Sequence, residues 1–293
     1  MLNIVNAKIN LGLQIVARRT DGYHDLQTVF YPIGLKAGTP ENPEQFCDIL
    51  EVVKTGAFDG RIDFTQTGRP VDCVPEKNLV LRAARLFYDT YHPATGVGIR
   101  LDKHIPDGAG IGGGSADASF TLRMLNEICD VHADDNELSE LALQLGADCP
   151  FFILNRPAFA EGVGEGLELL VGENPLDGMW LLLVKPDAYI STREAFAGVT
   201  PKLPDFNLRN LFDVPVDRWK EYVHNDFEDS IFPRHPEFGQ IKSELYTGGA
   251  IYASLTGSGS CIYGIYNDRH SAQETQNHIK RIPTIVASYL LKL

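Results

Sequence analysis

The chain has 293 residues, of which 44% are hydrophobic and 22% are charged. This composition is typical of a globular protein of about two domains, and it excludes a disordered chain, a collagen and a small disulfide-rich domain. The 26 basic and 39 acidic residues give a net charge of −13, which disfavours binding to nucleic acid or to an anionic membrane. A small phosphorylated ligand remains compatible with that charge, because backbone N–H groups can bind phosphate locally.

The first half of the chain opens with predicted strands. Residues 4–16 alternate apolar and polar side chains, and the Asp-Gly pair at 21–22 is typical of a turn. Similar patterns predict further strands at 48–54, 61–67 and 96–102. Helical spacing of apolar residues predicts helices at 77–92, 115–131 and 134–145. In the last of these, Asp134 followed by Glu137 has the pattern of an N-terminal capping box.

The second half gives fewer signals. Strands are predicted at 180–185 and 261–266, and the proline-bearing segment 201–215 is predicted to be a loop. Because strands and helices do not alternate regularly, their order favours an α+β fold over a doubly wound parallel sheet.

Location is indicated by the cysteines and the apolar runs. The cysteines are odd in number, widely spaced and without a CxxC pair: Cys47, Cys73, Cys129, Cys149 and Cys261. This pattern predicts reduced thiols and neither a disulfide framework nor a zinc site. The first residues lack the layout of a signal peptide, and the apolar runs at 151–154 and 180–184 are too short to span a bilayer. We therefore expect a cytoplasmic protein, and leave open whether it is a monomer or a homodimer.

The most informative segment is a glycine cluster, with five glycines in the seven residues 108–114. Glycine is costly in chain entropy, and such a run is typical of a backbone that closely approaches a ligand. The helix predicted to begin near Ser115 directs unpaired N–H groups and the positive end of its dipole at this loop. The segment therefore predicts a phosphate-binding loop.

Two common phosphate loops do not fit this cluster. Gly108, Gly110 and Gly113 match the spacing of a dinucleotide fingerprint, but five residues separate the strand from the glycines and another helix follows the first. The spacing also resembles a P-loop, except that Gly114 stands where that loop needs lysine. The remaining interpretation is a glycine-rich loop of a different kind that binds a nucleotide triphosphate.

Residues 106–118 resemble the phosphate loop of the GHMP kinases, which include galactokinase, homoserine kinase, mevalonate kinase and phosphomevalonate kinase. Segments 7–11, 19–28, 145–152 and 160–165 are similar to one member of that family, and 255–261 resembles the third GHMP motif. Asp107 and Ala116 depart from the family pattern, which commonly has a small or apolar residue at the first position and a serine at the second.

The resemblance implies an α+β fold of two domains with the active site in the cleft between them. The N-terminal GHMP kinase ATP-binding domain, similar to domain 2 of ribosomal protein S5, is expected at 1–155, and a ferredoxin-like C-terminal domain at 156–293. The implied reaction is ATP-dependent phosphorylation of the 2-hydroxyl of 4-diphosphocytidyl-2-C-methyl-D-erythritol, in non-mevalonate isoprenoid biosynthesis, with ATP and Mg²⁺ as cofactors. Two alternatives stay open: another GHMP kinase acting on mevalonate, homoserine or a sugar, and a catalytically silent nucleotide-binding protein.

The resemblance also implies roles for individual residues. Asp148 is expected to act as the base, in a chain kept extended before Pro150, with Lys8 as its cationic partner. The expected ATP-binding residues are Asn78, Pro106, Gly108, Gly110, Gly112, Gly113, Gly114 and Ser115. The expected residues of the cytidyl substrate site are Asn10, Tyr23, His24, Lys103, Thr192, Phe196 and Gly257.

Several of these residues also have ordinary structural interpretations. Without the resemblance, Asp148 is more typical of a turn or cap, and Lys8 of an exposed position on an edge strand. Asn78 is typical of a helix cap, Ser191 with Glu194 of a capping box beside Thr192, and the segment around Gly257 of a hairpin turn. No Asp/Glu cluster in the sequence identifies a magnesium site, so we expect phosphate oxygens, water and Ser115 to bind the metal.

Overall fold

The computed structural model describes residues 1–36, 46–71 and 73–293, with only the backbone described at Pro75. The strands in this part of the chain are β1 (Leu2–Val5), β2 (Ala7–Arg18), β3 (His24–Ile33), β4 (Asp48–Ala57), β5 (Asp63–Gly68), β6 (Thr95–Lys103), β7 (Ala158–Gly162), β8 (Gly166–Leu169), β9 (Trp180–Pro186), β10 (Tyr252–Leu255), β11 (Ile262–Tyr266) and β12 (Ile285–Lys292). The helices are α1 (Leu79–Tyr91), α2 (Gly113–Ile128), α3 (Asp135–Leu143), α4 (Cys149–Leu154), α5 (Thr192–Ala197), α6 (Trp219–Tyr222), α7 (Phe227–Ile231), α8 (Pro236–Thr247) and α9 (Arg269–Ile279).

The described chain forms two compact units, neither of which is one continuous segment. The first comprises Met1–Ala7, Phe46–Asp107 and Gly112–Arg156. The second comprises Lys8–Gln45, of which 8–36 is described, together with Gly108–Ile111 and Pro157–Leu293. The predicted division between residues 155 and 156 stays a prediction.

The first unit is a sheet covered by helices. Its strands lie in the order β1-β4-β6-β5, with β4 antiparallel to β1 and β6, and β5 parallel to β6. Helix α2 packs on β4, and α1, α3 and α4 pack against α2. The buried side chains of Leu50, Val52 and Leu122 belong to this core. Strand β6 is followed along the chain by residues 104–112, which lead into α2.

The second unit contains two sheets. Strands β2-β3-β7-β8 form one of them, and β10-β11-β9-β12 form the other, in which all pairs are antiparallel. Helices α8 and α9 pack on the second sheet. A single apolar cluster joins Leu13 and Ile15 of β2 to Leu182 of β9 and to Ile241 of α8. The end of β2 that carries Lys8 is thereby fixed to a large core.

The predicted elements correspond well with the observed ones in the first half of the chain. The predicted strand at 4–16 is two strands, β1 and β2, which Asn6 separates. Helix α2 begins at Gly113, two residues before the predicted start, because Gly112 has φ +71° and is its N-cap. The predicted loop at 201–215 contains a 3-10 helix, Leu208–Asp213. The capping box of α3 is present: the Asp134 side chain accepts from the Glu137 amide, and the Glu137 side chain accepts from the Asp134 amide.

Within the described residues, no helix has the length and apolar character needed to cross a membrane. The cytoplasmic location and the oligomeric state stay predictions.

Candidate active site

The glycine cluster contains three backbone conformations that favour glycine. Gly108, Gly110 and Gly112 have φ of +60°, +74° and +71°. Helix α2 starts directly after the last of them, so the amides of its first turn have no intrahelical acceptor. Unpaired amides and the helix dipole together attract an anion. The backbone thus has the geometry of the predicted phosphate loop.

A cavity of about 220 Å³ lies beside this helix start in the first unit. Its walls include the predicted ATP residues Asn78 and Gly114, the predicted substrate residue Lys103, and Asp107. Most of the remaining wall is apolar, from residues such as Leu79. Asn78 is also the N-cap of α1, since its side-chain oxygen accepts from the amide of Val80 at 2.9 Å. The cap interpretation is therefore correct, and Asn78 lines the cavity as well.

A buried cluster of three ionisable side chains lies under the helix start. Lys103 is 1% exposed, and its Nζ donates to Asp48 at 2.5 Å and to Asp117 at 2.7 Å. The other Asp48 oxygen accepts from the amides of His104, at 2.5 Å, and Ile105, at 2.7 Å. A Cβ at Gly113 would lie 3.2 Å from the Lys103 Nζ, so the ammonium is directly beneath α2.

Electrostatics in this cluster depend on burial. Burial acts to lower the pKa of Lys103, but Asp117 and Asp48 together outweigh it and raise that pKa above its usual range. Burial raises the pKa of Asp117 well above its usual range, although Lys103 opposes the shift. Within the described chain, Asp117 Oδ1 is buried without a hydrogen-bond partner. Three hydrogen-bonded ionisable side chains thus lie beneath the start of α2, next to the predicted phosphate loop.

Asp148 lies at the start of a short helix and not in an extended segment. Its backbone is α-helical, with φ −79° and ψ −15°, and it precedes α4, whose first turn contains Pro150. The expectation of an extended chain is wrong here because the first turn of a helix needs no amide donor from proline. Burial raises the pKa of the Cys149 thiol to about 11, against opposing hydrogen bonds from Ser115 and Ser119. These bonds fix the Asp148 segment to the first turns of α2.

In the second unit, Lys8 lies on the edge strand β2 but is only 3% exposed. Its Nζ donates to Asn10 Oδ1 at 2.7 Å and to the Gly110 carbonyl at 3.3 Å, and lies 4.8 Å from the centre of the Phe30 ring. The interpretation of Lys8 as an exposed lysine is therefore wrong. The ammonium is directed at the carbonyl of a glycine in the predicted phosphate loop.

Gly257 lies against the Gly110 carbonyl that Lys8 also contacts. It has φ +55°, and a Cβ there would lie 3.0 Å from the Gly110 carbonyl oxygen and 3.5 Å from Asn10 Oδ1. Next to it, Thr256 Oγ1 accepts from the Asn10 amide at 3.1 Å and donates to the Gly110 carbonyl at 3.2 Å. The third GHMP-like segment is thus packed tightly onto residues 108–111.

An aromatic group forms a second part of this unit. The rings of His24 and Phe196 are stacked, with centroids 4.8 Å apart and planes 18° apart, and Phe196 makes an edge contact with Phe227. Tyr23 is 66% exposed, so its ring is accessible to a ligand. Thr192 is exposed at the first position of α5, which Ser191 caps by accepting from the Glu194 amide. Ser191 is thus the N-cap of α5, while the Glu194 carboxylate contacts His235 at 3.1 Å.

The structure has features that suit ATP, but its side chains do not mark a clear magnesium site among the described residues. The open amides at the start of α2 and the adjacent cavity suit a nucleotide triphosphate. Within the described residues, one group of His, Cys, Asp and Glu could bind a metal: His224, Asp226 and Asp229. The Nζ of Lys202 lies 3.8 Å from Asp226 and 4.0 Å from Asp229, so the lysine ammonium already supplies positive charge to these two carboxylates.

Sequence reasoning missed several residues that support the site. Asp48 precedes Lys103 by 55 positions, and nothing local marks it as its partner. Asp117 lies inside the segment that resembles the family loop, so its charge was visible but its burial was not. Thr256 lies in the third GHMP-like segment, and its hydroxyl is the one feature of the sequence that could have marked it as a residue supporting the site.

Comparison with known proteins identifies the family. The model of the GHMP kinases N terminal domain matches residues 78–156, and that of the GHMP kinases C terminal domain matches residues 216–282. A 4-diphosphocytidyl-2-C-methyl-D-erythritol kinase of Bacteroides thetaiotaomicron is 45% identical over 277 residues, covering 94% of this chain and 95% of that protein. The chain belongs to the GHMP kinase family.

Further comparisons agree with this assignment. A kinase of the same description from Parabacteroides distasonis is 46% identical over 266 residues, covering 91% of this chain and 92% of that protein. The crystal structure of a 4-(cytidine 5'-diphospho)-2C-methyl-D-erythritol kinase superposes with a TM-score of 0.80 at 29% identity, covering 100% of both chains. The predicted α+β GHMP kinase fold is confirmed, and so is the predicted enzyme class, an ATP-dependent small-molecule kinase.

Proposed function

We propose that this GHMP kinase transfers the γ-phosphoryl group of ATP to the 2-hydroxyl of 4-diphosphocytidyl-2-C-methyl-D-erythritol. The observation that carries the substrate is the 45% identity to a kinase named for that compound, over almost the whole of both chains. A kinase for mevalonate, homoserine or a sugar is not favoured, and neither is a silent nucleotide-binding protein.

The phosphate loop binds the triphosphate in this proposal. The amides of Gly113, Gly114 and Ser115 donate to phosphate oxygens, while the left-handed glycines before them let the backbone approach closely. Asn78 and the apolar wall of the adjacent cavity contact the nucleoside. Pro106, whose side chain is buried, ends the strand-to-loop connection.

Lys8 and Asp148 act on the alcohol in this proposal. Phosphoryl transfer needs an acceptor hydroxyl in line with the γ-phosphate and a group that takes its proton. Asp148 accepts that proton, and the ammonium of Lys8 stabilises negative charge that develops on the transferring group. Support for Lys8 comes from its burial and its fixed position beside Gly110.

The cytidyl group binds at the aromatic residues of the second unit. The base stacks on Tyr23 and Phe196, and His24 supplies a hydrogen bond to the edge of the base. Asn10, Gly257 and Thr192 are proposed contacts of the remainder of the substrate. Lys103 is so deeply buried that its effect on substrate is exerted through the loop above it.

Magnesium supplies charge neutralisation of the phosphates when it is bound. Ser115 is the one hydroxyl of the loop that we propose for it, together with phosphate oxygens and water.

A substrate panel with ATP tests the proposal. We expect phosphoryl transfer to 4-diphosphocytidyl-2-C-methyl-D-erythritol in preference to mevalonate, homoserine and galactose, measured as ADP formation and by phosphorus NMR of the product. Preference for an alcohol without cytidine would refute the proposed substrate, and lack of any ATP turnover would support a silent binding protein.

Two variants test the proposed chemistry. Asp148→Asn and Lys8→Ala are expected to lower kcat on the order of 100-fold or more while a fluorescent ATP analogue still binds. The matched controls are Asp89→Asn and Lys54→Ala, both at exposed positions of the first unit, and both are expected to retain full turnover. Full turnover by Asp148→Asn would remove Asp148 as the base.

A further inference from the structure

A polar side chain that is not among the proposed binding or catalytic residues is completely buried beside the third GHMP-like segment. Asn225, just before α7, is 0% exposed, and the hydrogen-bond partners of its side chain, described next, lie within the second unit. Its Nδ2 donates to the carbonyls of Leu255, at 2.9 Å, and Gly257, at 3.0 Å. Its Oδ1 accepts from the Phe227 amide at 3.0 Å. The amide group therefore joins the start of α7 to both ends of the turn 255–257.

The neighbours of Asn225 in sequence fix the same segment. Asp226 accepts from the Ile15 amide at 2.8 Å, and Glu228 accepts from the Leu255 amide at 2.8 Å. The backbone of residues 224–226 also exchanges hydrogen bonds with Leu13. Asn225 is thus fixed to β2 and β10 at once, and it has little freedom to move away from the turn.

The turn that Asn225 contacts leads to the proposed catalytic lysine. Thr256 lies between the two carbonyls that Asn225 binds, and its hydroxyl contacts the Asn10 amide and the Gly110 carbonyl. Lys8 Nζ contacts that same carbonyl, and also Asn10 Oδ1. A shift of the turn would therefore change the surroundings of the Lys8 ammonium and of a phosphate-loop glycine.

We infer that Asn225 is a positioning residue for phosphoryl transfer: it fixes the turn 255–257, and through Thr256 it fixes Asn10, Gly110 and Lys8. The role of Lys8 in this inference rests on the proposed function. Asparagine suits the position because its amide supplies two N–H donors to two carbonyls and one acceptor to an amide. Aspartate keeps the acceptor and the size but presents oxygen to both carbonyls.

Kinetic coupling tests the inference. Asn225→Ala and Thr256→Val are each expected to lower kcat on the order of 100-fold, the scale of a misplacement of about 1 Å at an active site. In the double variant, the loss is expected to equal that of the worse single variant, because both act through one turn. The matched control, Asn207→Ala, removes an exposed asparagine that caps the 3-10 helix, and it is expected to retain the wild-type kcat.

Amide hydrogen exchange tests positioning without any substrate. Asn225→Ala is expected to speed exchange in peptides spanning 8–13 and 255–261, and Asn207→Ala to leave both unchanged. If the alanine variant does not fold, Asn225→Asp serves in both measurements. Unchanged exchange in those peptides, or kinetic losses that multiply in the double variant, would overturn the positioning role. Failure of the wild-type enzyme to phosphorylate the cytidyl alcohol would refute the proposed substrate instead, and the exchange result would still decide this inference.

Discussion

Replacement of Lys103 by methionine tests whether ionic contacts maintain the buried cluster beneath α2. The side chains of Lys103, Asp48 and Asp117 are 1%, 0% and 4% exposed, so solvent screens none of them. Lys103→Met leaves Asp48 with two amide donors and removes the bond to Asp117, whose other oxygen has no partner in the described chain. Removal of one partner from a buried ion pair costs about 3–5 kcal/mol of unfolding free energy, and we expect a loss in that range.

Far-UV circular dichroism during urea unfolding is the appropriate assay. Both tryptophans, Trp180 and Trp219, lie in the second unit, so their fluorescence would report on the wrong part of the molecule. Lys54→Met, at an exposed position of β4, is the matched control and is expected to stay within about 0.5 kcal/mol of the wild type. A double variant, Lys103→Met with Asp117→Leu, is expected to recover about 2 kcal/mol, since it removes the carboxyl that lost its partner.

The result that would refute this reasoning is a Lys103→Met protein within about 1 kcal/mol of the wild type. Such stability would mean that methionine packs as well as the ion pairs, and that the electrostatic account of the cluster is wrong. A double variant less stable than Lys103→Met alone would refute it as well.

The remaining predictions concern the loop, the cluster and the aromatic group. Gly110→Ala is expected to lower kcat/KM at least tenfold, because φ is +74° and the new Cβ would lie 2.2 Å from the Thr256 carbonyl, whereas Gly239→Ala in α8 should be neutral in the same kinetic assay. Asp117 holds its proton to higher pH in the folded than in the unfolded chain, so folding stability should fall as pH rises above about 3.8. Asp117→Asn should therefore gain stability relative to the wild type in urea unfolding as pH rises above about 3.8, and a difference that does not change with pH would contradict this. Phe196→Leu is expected to raise KM for the cytidyl alcohol several-fold and leave KM for ATP unchanged in steady-state kinetics, because a stacking ring is lost; an equal rise in both would contradict base stacking.

Local patterns predicted the elements whose signals are strong. Strand β9 is a run of large apolar residues, and α1 has a regular apolar face after its Asn78 cap. Strand β3 was missed because its last six residues are all buried, so it lacks the alternation of a half-exposed strand. The second half also has several helices of four to six residues, such as α6 and α7, which are too short for a helical period to be visible.

The site was predictable where glycine conformation or family resemblance marks it. The positive φ angles of Gly108, Gly110 and Gly112 explain why glycine is favoured there. Asp48 and Asn225 act through contacts to residues distant in sequence, and a single sequence does not indicate such partners. The helical backbone at Asp148 is hard to predict because a following proline favours extended chain before it, yet proline is also well accommodated in the first turn of a helix.

The strand order of the sheet β2-β3-β7-β8 has a consequence for how this chain folds while the ribosome synthesises it. Strand β3 pairs with β7, from Leu26 opposite Gly162 to Phe30 opposite Ala158. One edge of β3 therefore has no partner until the ribosome has added more than 100 further residues. During translation, the ribosome releases an apolar strand whose second neighbour does not yet exist, which exposes it to aggregation. A chain cut after residue 155 would retain that defect permanently, and only co-expression with the remaining fragment would supply the missing strands.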